Sequence, residues 1–172
     1  AFSPNAGLVL RLRVSNAGAM VELSSKFGAD PEEAVDLILE AEKEGLTVEG
    51  LSFHVGSQTR RAEMWRDTLD RVANVWTSAR EAGFDLSLIN IGGGFPIKTS
   101  LKFDYDYQYL VDEIISLIKT ECDEKGFETP DIYTEFGAFT VGESGAVLFS
   151  ILNQKQQNDR EKWNLIDSSF MT

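Results

Sequence analysis

Apolar and polar positions along the chain alternate between two periods, one suited to strands and one to helices. Leu8 to Val14 is a short apolar run carrying two arginines, Arg11 and Arg13, and predicts a strand. Asp30-Pro31-Glu32-Glu33 then signals a helix start, with an N-cap, a proline at the first helical position and acids in the first turn. That helix turns Val35, Ile38, Leu39 and Glu42 to one side, and Gly45 ends it. Val48 to His54 predicts the second strand. Ala62 to Ala82 predicts a long helix with Trp65, Leu69, Val72 and Trp76 on one face and Gly83 at its end. Leu86 to Ile91 predicts the third strand, and Asp104 to Lys125 the third helix, with Leu110, Ile114, Leu117 and Ile118 inward. Asp131 to Glu135 predicts the fourth strand, and Ala146 to Leu152 and Trp163 to Ile166 further strands.

Strands starting near residues 8, 48, 86 and 131, each followed by a helix or a long connection, imply parallel pairing through helical crossovers. The fold class is α/β. A spacing of about 40 residues suits one unit of a TIM-type (β/α)8 barrel, whose eight units take about 250 residues. The 172 residues supply about four units, so the chain is either an open sheet or part of a larger barrel. Near residue 145 the alternation stops. Residues 1–145 are therefore expected to form a partial barrel, and 146–172 its exit toward a β domain.

Composition narrows the function. The chain is 42% hydrophobic and 26% charged, as in soluble globular domains, with a formal net charge of -12. That charge repels nucleic-acid phosphates and anionic membranes, so neither is an expected partner. Acids concentrated in helical stretches such as Asp30 to Glu44 read as solvated faces. Apolar runs are far too short to span a membrane, and no signal-peptide pattern opens the chain. Cys122 is the sole cysteine, which fits a reducing compartment and a cytoplasmic location. Glu121 and Asp123 beside it raise a thiol pKa and argue against a nucleophile. The start at Ala1, with no initiator Met, is expected to lie within a longer protein.

Ligands of parallel β/α folds bind at the carboxyl ends of the strands, where the unusual residues of this chain fall. The second strand leads into Ser52-Phe53-His54-Val55-Gly56-Ser57-Gln58, the third into Ile91-Gly92-Gly93-Gly94-Phe95-Pro96, and the fourth into Thr134-Glu135-Phe136-Gly137. Gly92, Gly93 and Gly94 expose backbone N–H groups without side chains and form either an anion nest or only a tight turn. The run lacks the G-x-G-x-x-G spacing of a dinucleotide loop, so a phosphate monoester suits it better than a pyrophosphate. His54, the sole histidine, is a candidate for ring stacking or acid–base work, or else a core residue. Glu135 is either an acceptor for a protonated ring nitrogen or a buried carboxylate paired with Arg11 or Arg13. Ser57 is either a phosphate donor or an ordinary turn residue. No second histidine accompanies His54, and no metal site is expected.

The two long motifs, in this order and spacing, resemble the alanine-racemase-fold (fold type III) decarboxylases of basic amino acids, which act on ornithine, arginine or diaminopimelate. Leu23-Ser24-Ser25-Lys26-Phe27-Gly28 resembles a segment of the same family, and the likeness runs from about Leu8 to Leu152. The resemblance implies pyridoxal 5'-phosphate as cofactor. It assigns ring stacking to His54, phosphate binding to Ser57 and the backbone of Gly92 to Gly94, and the pyridine nitrogen to Glu135, with His54 and Glu135 the catalytic pair. It also implies a homodimer, since the family's sites are shared between two subunits. Where the family reads E-P-G-R, this chain reads Glu135-Phe136-Gly137-Ala138, so Arg11, Arg13 or Lys98 must replace the missing cation or phosphate binding weakens. The family's Schiff-base lysine lies upstream of all these motifs and its catalytic cysteine in the later β domain. Neither Lys26 nor Cys122 matches them, and the 172 residues alone are expected not to decarboxylate. Phe95-Pro96 and the stretch Gln154 to Met171 look most like the arginine and ornithine branches, with arginine favoured.

Overall fold

The computed structural model describes residues 3, 5–14, 26–97 and 106–169. They form two compact units, 1–142 and 143–172. The first contains β1 (Gly7–Arg11), α1 (Ala34–Lys43), β2 (Thr47–Ser52), α2 (Glu63–Glu81), β3 (Leu88–Asn90), α3 (Tyr107–Lys125), β4 (Asp131–Tyr133) and α4 (Gly137–Val141). The second holds a hairpin of β5 (Ile151–Gln156) and β6 (Lys162–Ile166).

The four strands of the first unit pair in parallel in the order β1-β2-β3-β4. Sequential order without a reversal is that of a β/α barrel, not of a doubly wound sheet, which has a switch point. One face of the sheet is apolar. Leu51 and Ile89 are buried there with Trp65, Leu69, Val72 and Trp76 of α2 and Leu110, Ile114, Ile118 and Cys122 of α3. Trp76 stacks on Phe127 with ring centroids 5.8 Å apart. Burying one large side chain stabilises by roughly 1.5–3 kcal/mol, so these two helices anchor the unit. The opposite face carries a polar row at the carboxyl edge. Arg11 is in register with Ser52, Ser52 with Asn90, and Asn90 with Tyr133. Side chains alternate along a strand, so this row faces away from α2 and α3.

Helix ends follow their residues. Asp106 caps α3 by accepting from the Tyr109 N–H at 3.0 Å, and Gly126 closes it in the left-handed conformation. Gly45 and Gly83, just past α1 and α2, have φ of 75° and 96°. Asp30 departs from expectation. Its side chain caps nothing and pairs instead with Arg13 at 3.3 Å, and Pro31–Glu33 form a 3-10 turn before α1.

Three further expectations are corrected. Strands β1 to β4 are shorter than the apolar runs, because pairing stops where the neighbouring chain bends away into its loop. Ala146 to Ser150 is not strand; β5 begins at Ile151 and continues to Gln156. The helix α4, five residues long, went unforeseen. In the hairpin, Asn158 Oδ1 accepts from the N–H groups of Arg160 and Glu161 and so shapes the turn. Residues 23–25 and Lys98 lie outside the described residues, as does the segment where the third helix was expected to begin, at Asp104.

Candidate cofactor site

Three loops meet at the carboxyl edge of the sheet. The loop after β2 carries His54, which is half-buried, and the Gly56 N–H donates to its Nδ1 at 3.0 Å. An Nδ1 that accepts must keep its lone pair, so the proton of the neutral ring sits on Nε2. The pKa of His54 is lowered from 6.5, chiefly by burial and then by the charge of Arg11, while Glu135 opposes the shift. The ring is therefore neutral at pH 7.

The loop after β3 is the glycine run, which lies along the His54 ring. A Cβ on Gly92, Gly93 or Gly94 would stand 3.3 Å from Cδ2, 3.6 Å from Nε2 or 3.4 Å from Cε1 of that ring. It would also collide with the backbone oxygens of Phe53, Glu135 or Gly56, respectively. Gly92 and Gly94 have φ of 68° and 87° as well. Close approach to both neighbouring loops thus excludes a side chain at all three positions.

Two ties hold the β2 and β3 loops together. The Thr59 N–H donates to the Gly94 carbonyl at 2.8 Å, and the Ile97 N–H to Gln58 Oε1 at 2.9 Å. Gln58 holds φ of 57°, the one positive value of a non-glycine residue among those described. A glutamine in that region is strained by about 1–2 kcal/mol and needs such ties to persist. Donors remain beside them. The N–H groups of Gly93 and Gly94 and the hydroxyl of Ser57 have no hydrogen-bond partner among the described residues.

The loop after β4 carries Glu135. It is exposed, not buried, and no arginine among the described residues pairs with it. Asn90 Nδ2 donates to its Oε1 at 2.7 Å, a contact that sequence reasoning missed. The signal available was a lone amide in the apolar run Leu88-Ile89-Asn90-Ile91. Beyond Glu135, the aromatic side chain of Phe136 meets Phe95 edge-on at 5.4 Å, and Phe139 lies 6.1 Å from Phe136. His54, Ser57, Gln58, Gly94, Glu135 and Ala138 line one cavity of about 170 Å³ with these three phenylalanines. That is below the roughly 300–1,000 Å³ of a complete small-molecule site, so these loops form part of an enclosure. The void beside Cys122 is about 20 Å³ and lies in the helix–sheet core.

Not every expected residue reaches the cavity. Arg11 stands over the Phe27 ring, 5.4 Å from its centroid, and acts on His54 only through its charge. Arg13 is held by Asp30. No lysine or arginine is among the described residues lining the cavity. Cys122 is buried in α3, where burial first and then Asp123 and Glu121 raise its pKa. No group of three metal-ligating side chains occurs among the described residues, and no described helix is long and apolar enough to cross a membrane.

Known proteins resemble this chain in sequence and fold. A lysine/ornithine decarboxylase of Selenomonas ruminantium is 30% identical over 167 residues, covering 97% of this chain and 41% of the relative. An ornithine decarboxylase of Caenorhabditis elegans is 43% identical over 94 residues, covering 54% of the chain and 22% of the relative. The arginine decarboxylase of Paramecium bursaria Chlorella virus, solved with agmatine, superposes with a TM-score of 0.71 at 26% identity, covering 95% of this chain and 42% of that one. The chain thus spans about two-fifths or less of these relatives. Residues 1–142 match the family model of the pyridoxal-binding domain of pyridoxal-dependent decarboxylases. The parallel sheet is a piece of that family's barrel, and with a neutral histidine, a glycine run and a carboxylate set around one cavity at its carboxyl edge, the chain belongs to the pyridoxal-dependent decarboxylases.

Proposed function

We propose that this chain is the cofactor-holding wall of a pyridoxal-phosphate decarboxylase of a basic amino acid, arginine in preference to ornithine or lysine. The observation that carries the reading is the convergence of His54, Ser57, Gly94 and Glu135, from three successive strand ends, on one cavity. The donor set fits the cofactor. Ser57 and the N–H groups of Gly93 and Gly94, donors without a partner among the described residues, suit phosphate oxygens, and Glu135 is an acceptor suited to a protonated ring nitrogen. His54 would hold the ring between them, and its neutrality keeps a positive charge away from a protonated pyridine.

When bound, pyridoxal phosphate supplies the electron sink that stabilises the carbanion left by departing CO₂. The chain's part is to hold and to tune. Glu135 favours a proton on the ring nitrogen, and Phe95, Phe136 and Phe139 set an apolar flank against water. Arginine is preferred because the stretch from Gln154 resembles that branch, and an arginine decarboxylase is among the similar structures. We further propose that the protein works as a cytoplasmic homodimer. Its single cysteine and the subunit-shared sites implied by the resemblance support that reading.

The test is release of CO₂ from arginine, ornithine and lysine by the full-length protein with added pyridoxal phosphate. Release from none of them, with no visible absorbance band after incubation, rejects the reading. A second reading, a catalytically silent homologue that binds a protein partner, is favoured by Ala138 and by the lack of a cation among the described lining residues. Cofactor binding without CO₂ release would select it.

A further inference from the structure

We propose that Asn90 is a positioning residue for the cofactor, acting through Glu135. The inference rests on the reading of the cavity as a pyridoxal-phosphate site. Asn90 ends β3 and belongs to the polar row Arg11, Ser52, Asn90, Tyr133. Its amide is used at both ends. Oδ1 accepts from the Gly92 N–H at 2.9 Å, and Nδ2 donates to Glu135 Oε1 at 2.7 Å. The Glu135 N–H in turn donates to the Gly92 carbonyl at 2.9 Å. Asn90, Gly92 and Glu135 thus close a hydrogen-bonded ring across β3 and β4.

That ring sets the acceptor offered to the cofactor's ring nitrogen. An exposed glutamate samples many rotamers, and the described residues offer the Glu135 carboxylate no other hydrogen-bond donor. The bond to Oε1 fixes the carboxylate's direction and leaves Oε2 to accept from the ring nitrogen. The Gly92 N–H in turn holds the amide plane through Oδ1, so Nδ2 keeps its aim at Glu135. A side-chain amide holds a donor and an acceptor side by side in one plane, without adding a charge beside Glu135.

The experiment measures ligand binding by the full-length protein through tryptophan fluorescence, with Trp65 as reporter, 5.5 Å from the cavity-lining Phe95. The ligands are pyridoxal phosphate and its 1-deaza analogue, in which carbon replaces the ring nitrogen. The variants are Asn90→Ala and the shape-keeping Asn90→Leu, each alone and combined with Glu135→Ala. Each single Asn90 variant is expected to weaken pyridoxal phosphate roughly tenfold and the analogue less than about twofold. In the Glu135→Ala background either substitution should add little. Equal weakening of both ligands, or additive losses in the double variants, would overturn the proposal and leave Asn90 a fold-stabilising residue. Failure of the unsubstituted protein to bind pyridoxal phosphate would remove the reading beneath it and the proposal together.

Discussion

His54 is a single titrating group whose surroundings pull in opposite directions. Burial and Arg11 disfavour its charged form, and Glu135 favours it. In the 172-residue polypeptide, which has one histidine, the proton NMR titration of His54 is free of overlap. The midpoint should lie below 6.5, Arg11→Gln should raise it and Glu135→Gln should lower it. The sign for stability follows by linkage. Above pH 6.5 both the folded and the unfolded chain hold the ring neutral, and the folded state is undiminished. Below pH 6.5 the unfolded chain takes up a proton first, so stability falls until the folded midpoint is passed. Urea melts of wild type and Arg11→Gln between pH 7.5 and about pH 5 check this, with a smaller drop expected in the variant. Ala138 lines the same cavity, and no cation is among its described lining residues. Ala138→Arg should tighten pyridoxal phosphate binding by about 1.5 kcal/mol, as a charged donor on a phosphate does. No gain in fluorescence titration would mean that a cation from elsewhere already serves that phosphate. His54, Ser57 and Glu135 were legible as candidates because each is a polar residue at the end of an apolar run. Asn90 was not, since its importance lies in a ring closed with residues two and 45 positions away.

At the scale of elements, the long helices were the most legible. The expected inward faces of α2 and α3 are buried at Trp65, Leu69, Val72, Trp76, Leu110, Ile114 and Ile118, because a period of 3.6 leaves little choice of face. Strand limits were less legible, since a strand ends where its partner stops pairing and an apolar run does not record that. The Asp30 signal misled for a related reason: a nearby arginine competed for the carboxylate that a cap would use. The glycines separate local from tertiary demand. Gly45 and Gly94 both have positive φ, yet a Cβ at Gly45 meets nothing within 4 Å, whereas at Gly94 it strikes the Gly56 carbonyl oxygen. Gly45→Ala should therefore cost only the left-handed penalty, about 1 kcal/mol in urea denaturation. Gly94→Ala adds a backbone collision between the β2 and β3 loops and should cost about 3 kcal/mol or more. Similar losses for the two would show that the loops part easily, and would deprive the cavity of its rigid wall.

For the molecule as a whole, among the described residues the sheet has two edges, β1 and β4, and only the carboxyl end of β1 is covered, where the Ala29 N–H donates to the Arg11 carbonyl at 2.8 Å. An unpaired edge offers a row of backbone donors and acceptors to another chain, and apolar side chains nearby increase that tendency. Leu8 and Val9 of β1 are 37% and 39% exposed, and Tyr133 of β4 is 54% exposed, with Phe136 and Phe139 just beyond it. In the hairpin unit, Leu148, Trp163 and Leu165 are exposed too. The net charge of -12 opposes association at long range, but at physiological salt it is screened beyond about 8 Å, while strand pairing acts at contact. Contact terms therefore win, and the 172-residue polypeptide by itself should self-associate. Sedimentation velocity should show species larger than 19.1 kDa, growing with concentration and with added salt. Lys substitutions at Leu8 and Val9 should shift the distribution toward monomer, because a charged edge resists pairing. A monodisperse monomer at all concentrations would mean that β1 and β4 are already protected, and the sheet would then be a closed or capped object rather than an open part of a barrel.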